Sequence, residues 1–476
     1  MTNQSKVPVS TQKKLRPNLL LAILCVAQFM LVLDVSVTNV ALASVQKDLG
    51  FAATDLQWIV TAYTLPLASL LIFFGRVGDL FGRRRLFIAG LILFTLASLA
   101  CGLVQDAAQL VIARATQGVG GAMLSPAALS LLTGTFSEGT ARNRALSIWG
   151  AVAAGGAAAG MIIGGVLTDL VGWRWVFLIN VPIGLLVLCL TPIVVPASRG
   201  TRGRLDLLGA VTISGGLVAL VYGLTRIVPE GLWSSTVGAC LAVSTILLFA
   251  FIVVQLRTAE PLVDLPIFRN RSVSAANVYN LFSAAIIVSQ SFFLSLYLQQ
   301  VLGWSPLSTG FALVPITVVV VIVAMFVPRF LPRIGMRTTL VLGGVLLACG
   351  MLLHARMPVN GSYLVDVLPA ILITAAGLGI GLVAVTIAAT SGVEQSKQGL
   401  ASGILTTTQQ IGGAVGLAAL ATVAGATSGS NGSISNELLT AGYSAAYLVA
   451  AIFALAASVT AFLLLPKTNL RNNDSV

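Results

Sequence analysis

Runs of about twenty apolar residues recur along the whole chain, separated by short polar stretches rich in Arg, Lys and Gly. A helix needs about 20 apolar residues to cross a hydrocarbon core of about 30 Å. The runs predict fourteen spanning helices, at approximately 18–41, 56–75, 86–104, 109–135, 145–168, 175–195, 206–226, 234–256, 272–299, 306–328, 337–354, 364–390, 399–425 and 441–465. The chain therefore reads as an all-α polytopic membrane protein.

The polar stretches carry a sign pattern. With the first one placed in the cytoplasm, that side holds 22 basic residues, among them Lys6, Lys13, Lys14 and Arg16, then Arg76 with Arg83, Arg84 and Arg85. The other side holds 4, namely Lys47, Arg174, Arg226 and Arg356. Basic residues gather on the cytoplasmic side of membrane proteins. One helix more or fewer would invert every later connection and erase the bias. Both termini are thus expected in the cytoplasm, with the chain in a bacterial inner or plasma membrane. The first span is too long for a signal-peptide core and lacks a small-residue cleavage site, so it is expected to be retained.

The chain also repeats weakly. Gly75 to Arg85 has an echo in Pro328 to Arg337, aligning Arg76 with Arg329, Gly82 with Gly335 and Arg84 with Arg337 at an offset of 253. The same offset carries the start of the first span onto the start of the ninth. The implied organisation is a tail over 1–17, a six-helix half over 18–196, a linker with two inserted helices over 197–256, a second six-helix half over 257–465, and a tail over 466–476. Parallel halves about an axis along the membrane normal suit alternating access.

Composition narrows the chemistry. The chain is 57% hydrophobic and 9% charged, against about 25% charged in soluble domains. The net charge of +12 lies in short clusters between spans rather than on a basic helix, so no nucleic-acid partner is expected. Five scattered cysteines and a single histidine, His354, offer no metal site. No P-loop is present, so no ATP-hydrolysing domain is expected in this chain, and with one histidine no Ser-His-Asp arrangement is credible. The expectation is no enzyme and no cofactor.

Two ionisable residues fall clearly inside spans, Asp34 and Arg114. Such residues are costly in lipid and point to function. At 1.5 Å per residue, Asp34 lies about 22 Å from the cytoplasmic start of its span and Arg114 about 8 Å from the outer start of its own. Both are then at similar depth, and an ion pair is possible, direct or through water. Burial favours a neutral acid while a guanidinium favours the carboxylate, so a modest change of surroundings moves the proton. The alternative is a permanent pair that only fixes helix positions.

Other groups are weaker signals. The loop Gly75 to Arg85 combines glycines for a tight turn with Asp79, suited to a facing helix N-terminus, and with Arg83 to Arg85, which could pair with it or with lipid headgroups. Asp366 reads as an interfacial cap, and Glu138 and Glu394 as cytoplasmic helix ends. Gly156, Gly160, Gly164 and Gly165 make a small-residue face on span five, echoed by Gly412, Gly413 and Gly416 on span thirteen. Gln28, Asn39, Thr61, Gln117, Asn277, Asn280, Gln290, Gln409 and Gln410 are polar groups that should face other helices or a wet cavity. With Tyr63, Tyr279, Phe293 and Tyr297 they could line a large apolar cavity suited to lipophilic ligands. Helix–helix hydrogen bonding explains any single one equally well.

Together these residues resemble the major facilitator superfamily, in its fourteen-helix drug:proton antiporter branch, over nearly the whole chain. Leu33 to Leu42 is similar to that branch's acidic span-one motif, and Gly75 to Arg85 to the superfamily's signature loop. Arg114 to Gly120 is similar to the Arg-containing span-four motif, and Gly172 to Pro182 to the stretch before span six. Tyr297 to Gln300 and Gly399 to Gly403 match its second half. The resemblance implies export of small lipophilic compounds or antibiotics against inward proton flow. Asp34 would take up the proton, Arg114 would tune it, and Asp79 with Arg83 would stabilise one gate state. One departure stands out. The span-five motif usually reads Gly-Pro-x-x-Gly-Gly, but here Met161 follows Gly160, ahead of Gly164 and Gly165, and removes the kink a Pro favours. A dedicated transporter of one metabolite, importer or exporter, and a non-transporting scaffold or receptor are the alternatives.

Overall fold

The computed structural model describes residues 17–136, 139–196, 200, 203–394, 397–428 and 435–466. Expectations placed on the two tails and on Glu138, Arg199 and Arg202 lie outside these residues. Among the described residues there are fourteen long helices: α1 (Pro17–Leu49), α2 (Trp58–Phe81), α3 (Arg83–Leu103), α4 (Ala107–Thr135), α5 (Thr140–Leu170), α6 (Trp175–Val194), α7 (Leu207–Glu230), α8 (Ser235–Arg257), α9 (Arg271–Val301), α10 (Pro306–Ile334), α11 (Met336–His354), α12 (Tyr363–Thr390), α13 (Gln398–Ser428) and α14 (Asn436–Leu464). Thirteen are long and apolar enough to cross a membrane. The remaining one, α4, has 29 residues but carries Arg114, Gln109, Gln117 and many small residues, which lower its hydropathy.

Helix ends follow local chemistry. Ser234, Ser305 and Ser435 cap α8, α10 and α14 by accepting from the backbone three residues on, and Asp106 does the same for α4 at 2.8 Å. The turn from α2 to α3 is made at Gly82, with φ +103°, and its repeat mate Gly335, with φ +79°, makes the turn from α10 to α11. A left-handed φ at these two places favours glycine. Gly75 and Gly78, expected to lie in a loop, are instead within α2. The stretch from Gly75 to Arg85 is almost wholly helical because both helices project beyond their apolar spans.

The packing follows the repeat. In the first half α1 packs on α5, α2 on α4 and α3 on α4; in the second α9 packs on α13, α10 on α12 and α11 on α12. The inserted α7 and α8 pack on one another, and α7 also touches α2 and α13. The halves meet through α1 with α9, α2 with α13 and α5 with α10. Glycine allows the closest of these approaches: a Cβ at Gly164 would lie 2.8 Å from the Val37 backbone, and one at Gly165 would lie 2.8 Å from Leu307. With Met161 where a Pro would favour a kink, α5 runs unbroken from Thr140 to Leu170.

An even number of helices puts Pro17 and Pro466, the first and last described residues, on one face of the bundle, here the terminal face. The far-face ends of the halves are closed on each other. Ser295 donates to the Asn39 carbonyl at 2.7 Å, Gln299 to the Val40 carbonyl at 2.9 Å, and Gln300 to the Gln46 side chain at 2.6 Å. The last turn of α9, Tyr297–Val301, is a π-helix, a widened turn often found where function needs a side chain re-aimed. Toward the terminal face the helices are looser. Ala22 and Val26 on α1 and Ser402 and Thr406 on α13 are exposed, and a Cβ at Gly150 or Gly155 of α5 would meet open space.

Candidate functional site

Asp34 and Arg114 form a direct ion pair. Arg114 Nη1 lies 2.6 Å from Asp34 Oδ2, and the side chains are 1% and 0% exposed. A buried ion pair persists only when its remaining lone pairs and protons also find partners, and here both carboxylate oxygens and the Nε and Nη1 protons of the guanidinium have them. Oδ1 of Asp34 accepts from Gln117 Nε2 and Asn180 Nδ2, each at 2.8 Å. Both amides also donate to Ser98 Oγ, at 2.8 and 3.0 Å. Arg114 donates Nε to the Ile59 carbonyl at 3.0 Å and Nη1 to Gln117 Oε1 at 2.7 Å. Its guanidinium lies 4.4 Å from the centre of the Tyr63 ring and 5.5 Å from that of Phe177, where the ring faces add cation–π attraction.

Five helices build this centre: α1 brings Asp34, α2 Ile59 and Tyr63, α3 Ser98, α4 Arg114 and Gln117, and α6 Asn180. Arg114 and Gln117 are three residues apart and so share one helix face. Asn180 owes its place to a local break. Pro182 has no N–H to give the Leu178 carbonyl, and the helix resets at Ile179, just ahead of Asn180. The Oδ1 of Asn180 is buried without a partner among the described residues. Ser98 carries no signal of its own in the sequence, and Asn180 enters there only as part of the Gly172 to Pro182 stretch. Asn180 is a polar residue in the apolar run of span six, the same signal that picked out Gln117. A lone Ser in a helix is too common to stand out.

The other expected site residues are dispersed. Arg83 pairs with Asp79 at 2.9 Å and donates to the Ser130 carbonyl at 3.2 Å, tying α2 and α3 to α4. Arg84 donates to the Pro192 carbonyl. Arg83 is one of the partners expected for Asp79. Gly160 and Gly164 pack on α1, and the Met161 carbonyl lies against Gly310. Asp366 accepts from the Ser362 N–H at 2.7 Å, as a cap. Thr61 is buried beside the charged centre's helix, and Asn39 sits at the far-face contact. Asn280 donates to the Leu405 carbonyl. Gln290 meets His354 Nε2 at 3.3 Å, and Phe293 and Tyr297 are packed in the core with Tyr443 and Tyr447. Gln28 and Gln409 are partly exposed. Of these residues, Gln117 is the one that hydrogen-bonds into the charged centre among the described residues.

The comparisons with known proteins agree with this architecture. The family model described as Major Facilitator Superfamily matches residues 24–417. The chain is 42% identical to the cephamycin export protein CmcT of Amycolatopsis lactamdurans, over 92% of this chain and 90% of that one. It is 38% identical to a puromycin resistance protein of Streptomyces alboniger, over 85% and 81%. In fold it is similar to a bacterial homologue of the lysosomal transporter Spinster in an inward-facing, unoccupied conformation, with TM-score 0.67, 16% identity and coverage of 95% and 97%. It is also similar to a peptide transporter bound to sulfate, with TM-score 0.67 and 16% identity over 94% and 95%. With fourteen helices in two repeated halves, a buried charge pair on α1 and α4, and a family match across most of its length, the chain belongs to the major facilitator superfamily.

Proposed function

We propose that this protein exports small lipophilic drug-like compounds, antibiotics among them, in exchange for protons. It does so by alternating access across the bacterial cytoplasmic membrane, with the terminal face in the cytoplasm. The observation that carries the proton half of this reading is the buried Asp34–Arg114 pair with its Gln117 and Asn180 donors. The relatives named for cephamycin export and puromycin resistance support the substrate class. The chain works as a transporter rather than an enzyme, and the proton gradient replaces any cofactor.

The chemistry follows from the geometry. A proton arriving on Asp34 cancels the one negative partner of Arg114 among the described residues. Arg114 is left with the Ile59 carbonyl, Gln117 and the two ring faces. The new O–H on Asp34 needs an acceptor, and Asn180 Oδ1 supplies one once its amide turns. Asp34 lies five residues before Asn39, about 8 Å along α1 at 1.5 Å per residue. Asn39 and Val40 receive the far-face hydrogen bonds from α9. A small turn of α1 as the pair loosens therefore reaches the far-face closure. Exchange requires that proton and substrate favour different states. Gln28 and Gln409, both partly exposed, are proposed as polar anchors for substrate in the cleft toward the terminal face, with Asn39, Thr61, Gln117, Asn280, Gln290, Phe293 and Tyr297 exposed in turn as the halves rock.

The test uses inverted membrane vesicles with an acidified lumen and a panel of lipophilic compounds. Wild type should release protons when a substrate is added, and Asp34→Asn should not. Substrate movement without any proton release would overturn the antiport reading. Release that persists in Asp34→Asn would move the proton to another group.

A further inference from the structure

The connection from α8 to α9, residues 258–270, belongs to the second half. Asn270 donates to the Ser391 carbonyl at 3.0 Å, and Lys397 Nζ lies 3.1 Å from Asp264 Oδ2. Leu262, Val263 and Ile267 pack with Val273, Ala401 and Ile404. The same connection holds the inserted pair. Asp206 caps α7 through the Gly209 N–H at 2.7 Å and accepts from Gln255 Nε2 of α8 at 2.6 Å, and Gln255 in turn accepts from the Val263 N–H at 2.9 Å.

Ile72 and Phe73 of α2 pack against the same apolar cluster, and α7 touches α2 as well. One charged contact also crosses from this assembly to the first half. Glu260 accepts from the guanidinium of Arg76, on α2, and from the Arg204 backbone N–H at 3.1 Å. The incoming linker hugs the same end of α2. A Cβ at Gly200 would overlap the Leu80 carbonyl, and one at Gly203 would lie 2.7 Å from Arg76 Nη2. The charged groups facing Glu260 are Arg76 and Arg204. The side chains of Arg76 and Glu260 are 37% and 43% exposed, so the pair is a weak contact that water can replace. A pair between bodies that must rock, cheap to break, is suited to being made in one state and released in the other.

We propose that α7 and α8 are a strap between the halves, and that Glu260 is its latch, holding Arg76 of α2 while the far face is closed. This rests on the alternating-access reading above. It assigns Glu260 a positioning role and the inserted helices a reason to be there.

Two readouts test it, and only one depends on transport. The first uses Ser295→Cys as a reporter; this side chain is fully buried at the far-face closure. Its labelling by an impermeant maleimide, in a background with Cys189, Cys240 and Cys349 replaced by Ser, reports far-face opening. Glu260→Gln should raise that labelling several-fold, and the charge swap Arg76→Glu with Glu260→Arg should return it toward the starting rate. Labelling unchanged by Glu260→Gln would overturn the latch even if no compound were ever found to move. The second readout is a cross-link between Arg76→Cys and Glu260→Cys made with a short bis-methanethiosulfonate reagent, which spans the length of an Arg–Glu pair that a disulfide does not. Cross-linking should stop compound-dependent proton exchange and reductant should restore it. Exchange at the unlinked rate while cross-linked would show that the strap never releases and would overturn the proposal. Absence of exchange in wild type would instead count against the antiport reading and leave the labelling result standing.

Discussion

Asn180 donates its side-chain amide to Oδ1 of Asp34 over 2.8 Å, although 146 residues separate the two. The contact sorts the carboxylate. Oδ1 faces the neutral amides of Asn180 and Gln117, while Oδ2 faces the guanidinium of Arg114. A change in the charge of Asp34 is therefore felt at once by α4 and α6, and through Ser98 by α3.

Asp34→Asn should abolish compound-dependent proton release and lower stability. It leaves the Arg114 charge buried without its partner, and breaking such a pair by removing one member costs about 3–5 kcal/mol. Thermal unfolding in detergent reads that loss. The double variant Asp34→Asn with Arg114→Gln should regain much of the stability but none of the exchange. A double variant that exchanges normally would remove the pair from the mechanism.

Asn180→Leu keeps most of the volume and removes both the donor to Asp34 and the buried Oδ1. A hydrogen bond to a charged group contributes about 1.5–3 kcal/mol. The variant should fold, run slower and shift the pH profile of exchange. Ser98→Ala should do the same more weakly, since Ser98 touches Asp34 only through the two amides. A pH profile for Asn180→Leu superimposable on wild type would confine Asn180 to packing.

Gly160→Leu and Gly164→Leu place side chains where a Cβ alone would come within 2.6 Å of Ser36 and 2.8 Å of the Val37 backbone. Overfilling a packed contact costs about 1–3 kcal/mol, occasionally more. Both variants should unfold at lower temperature and lose exchange, because α1 carries Asp34 on the helix they push. Unchanged melting would mean that α1 and α5 part freely.

Gln46→Cys with Gln300→Cys, joined by a short bis-methanethiosulfonate cross-linker, should tie the far face shut where the native side chains meet at 2.6 Å. Cross-linked protein should bind substrate from the terminal side but not release it on the far side. Continued export while cross-linked would place the moving gate elsewhere.

The Arg76–Glu260 contact should be insensitive to pH in the working range. The Arg204 N–H and the Arg76 guanidinium hold the Glu260 carboxyl below its ordinary value of 4.5. A lowered value means the pairing is fully present above 4.5 and is lost only as pH falls through the lowered value. With the proton site on α1 removed by Asp34→Asn, a spin-label distance between α2 and the 258–270 connection should thus stay constant between about pH 6 and 8. A distance that tracks pH there would tie the strap to a group other than Glu260.

Much of the architecture is legible along the chain. The fourteen spans follow from run length, and the 253-residue repeat anticipates both the start of α9 and the paired turns at Gly82 and Gly335. Asp34 and Arg114 stand out because a charge in hydrocarbon is rare and costly. The helical course of the Gly75 to Arg85 stretch was not legible. Glycines that signal a turn in water are tolerated in long helices whose ends are held by neighbours, as Gly75 and Gly78 are in α2.

The sequence by itself determined the spans, their repeat and the two buried charges. These follow from the cost of placing polar groups in lipid, which acts on each residue where it stands. Only the tertiary structure decided the partners. Asn180 reaches Asp34 because Pro182 breaks α6 at the right depth. Glu260 meets Arg76 because the inserted pair folds its connection back onto α2. Such contacts depend on the mutual placement of distant helices, and a local pattern of apolar and polar residues carries no record of that placement.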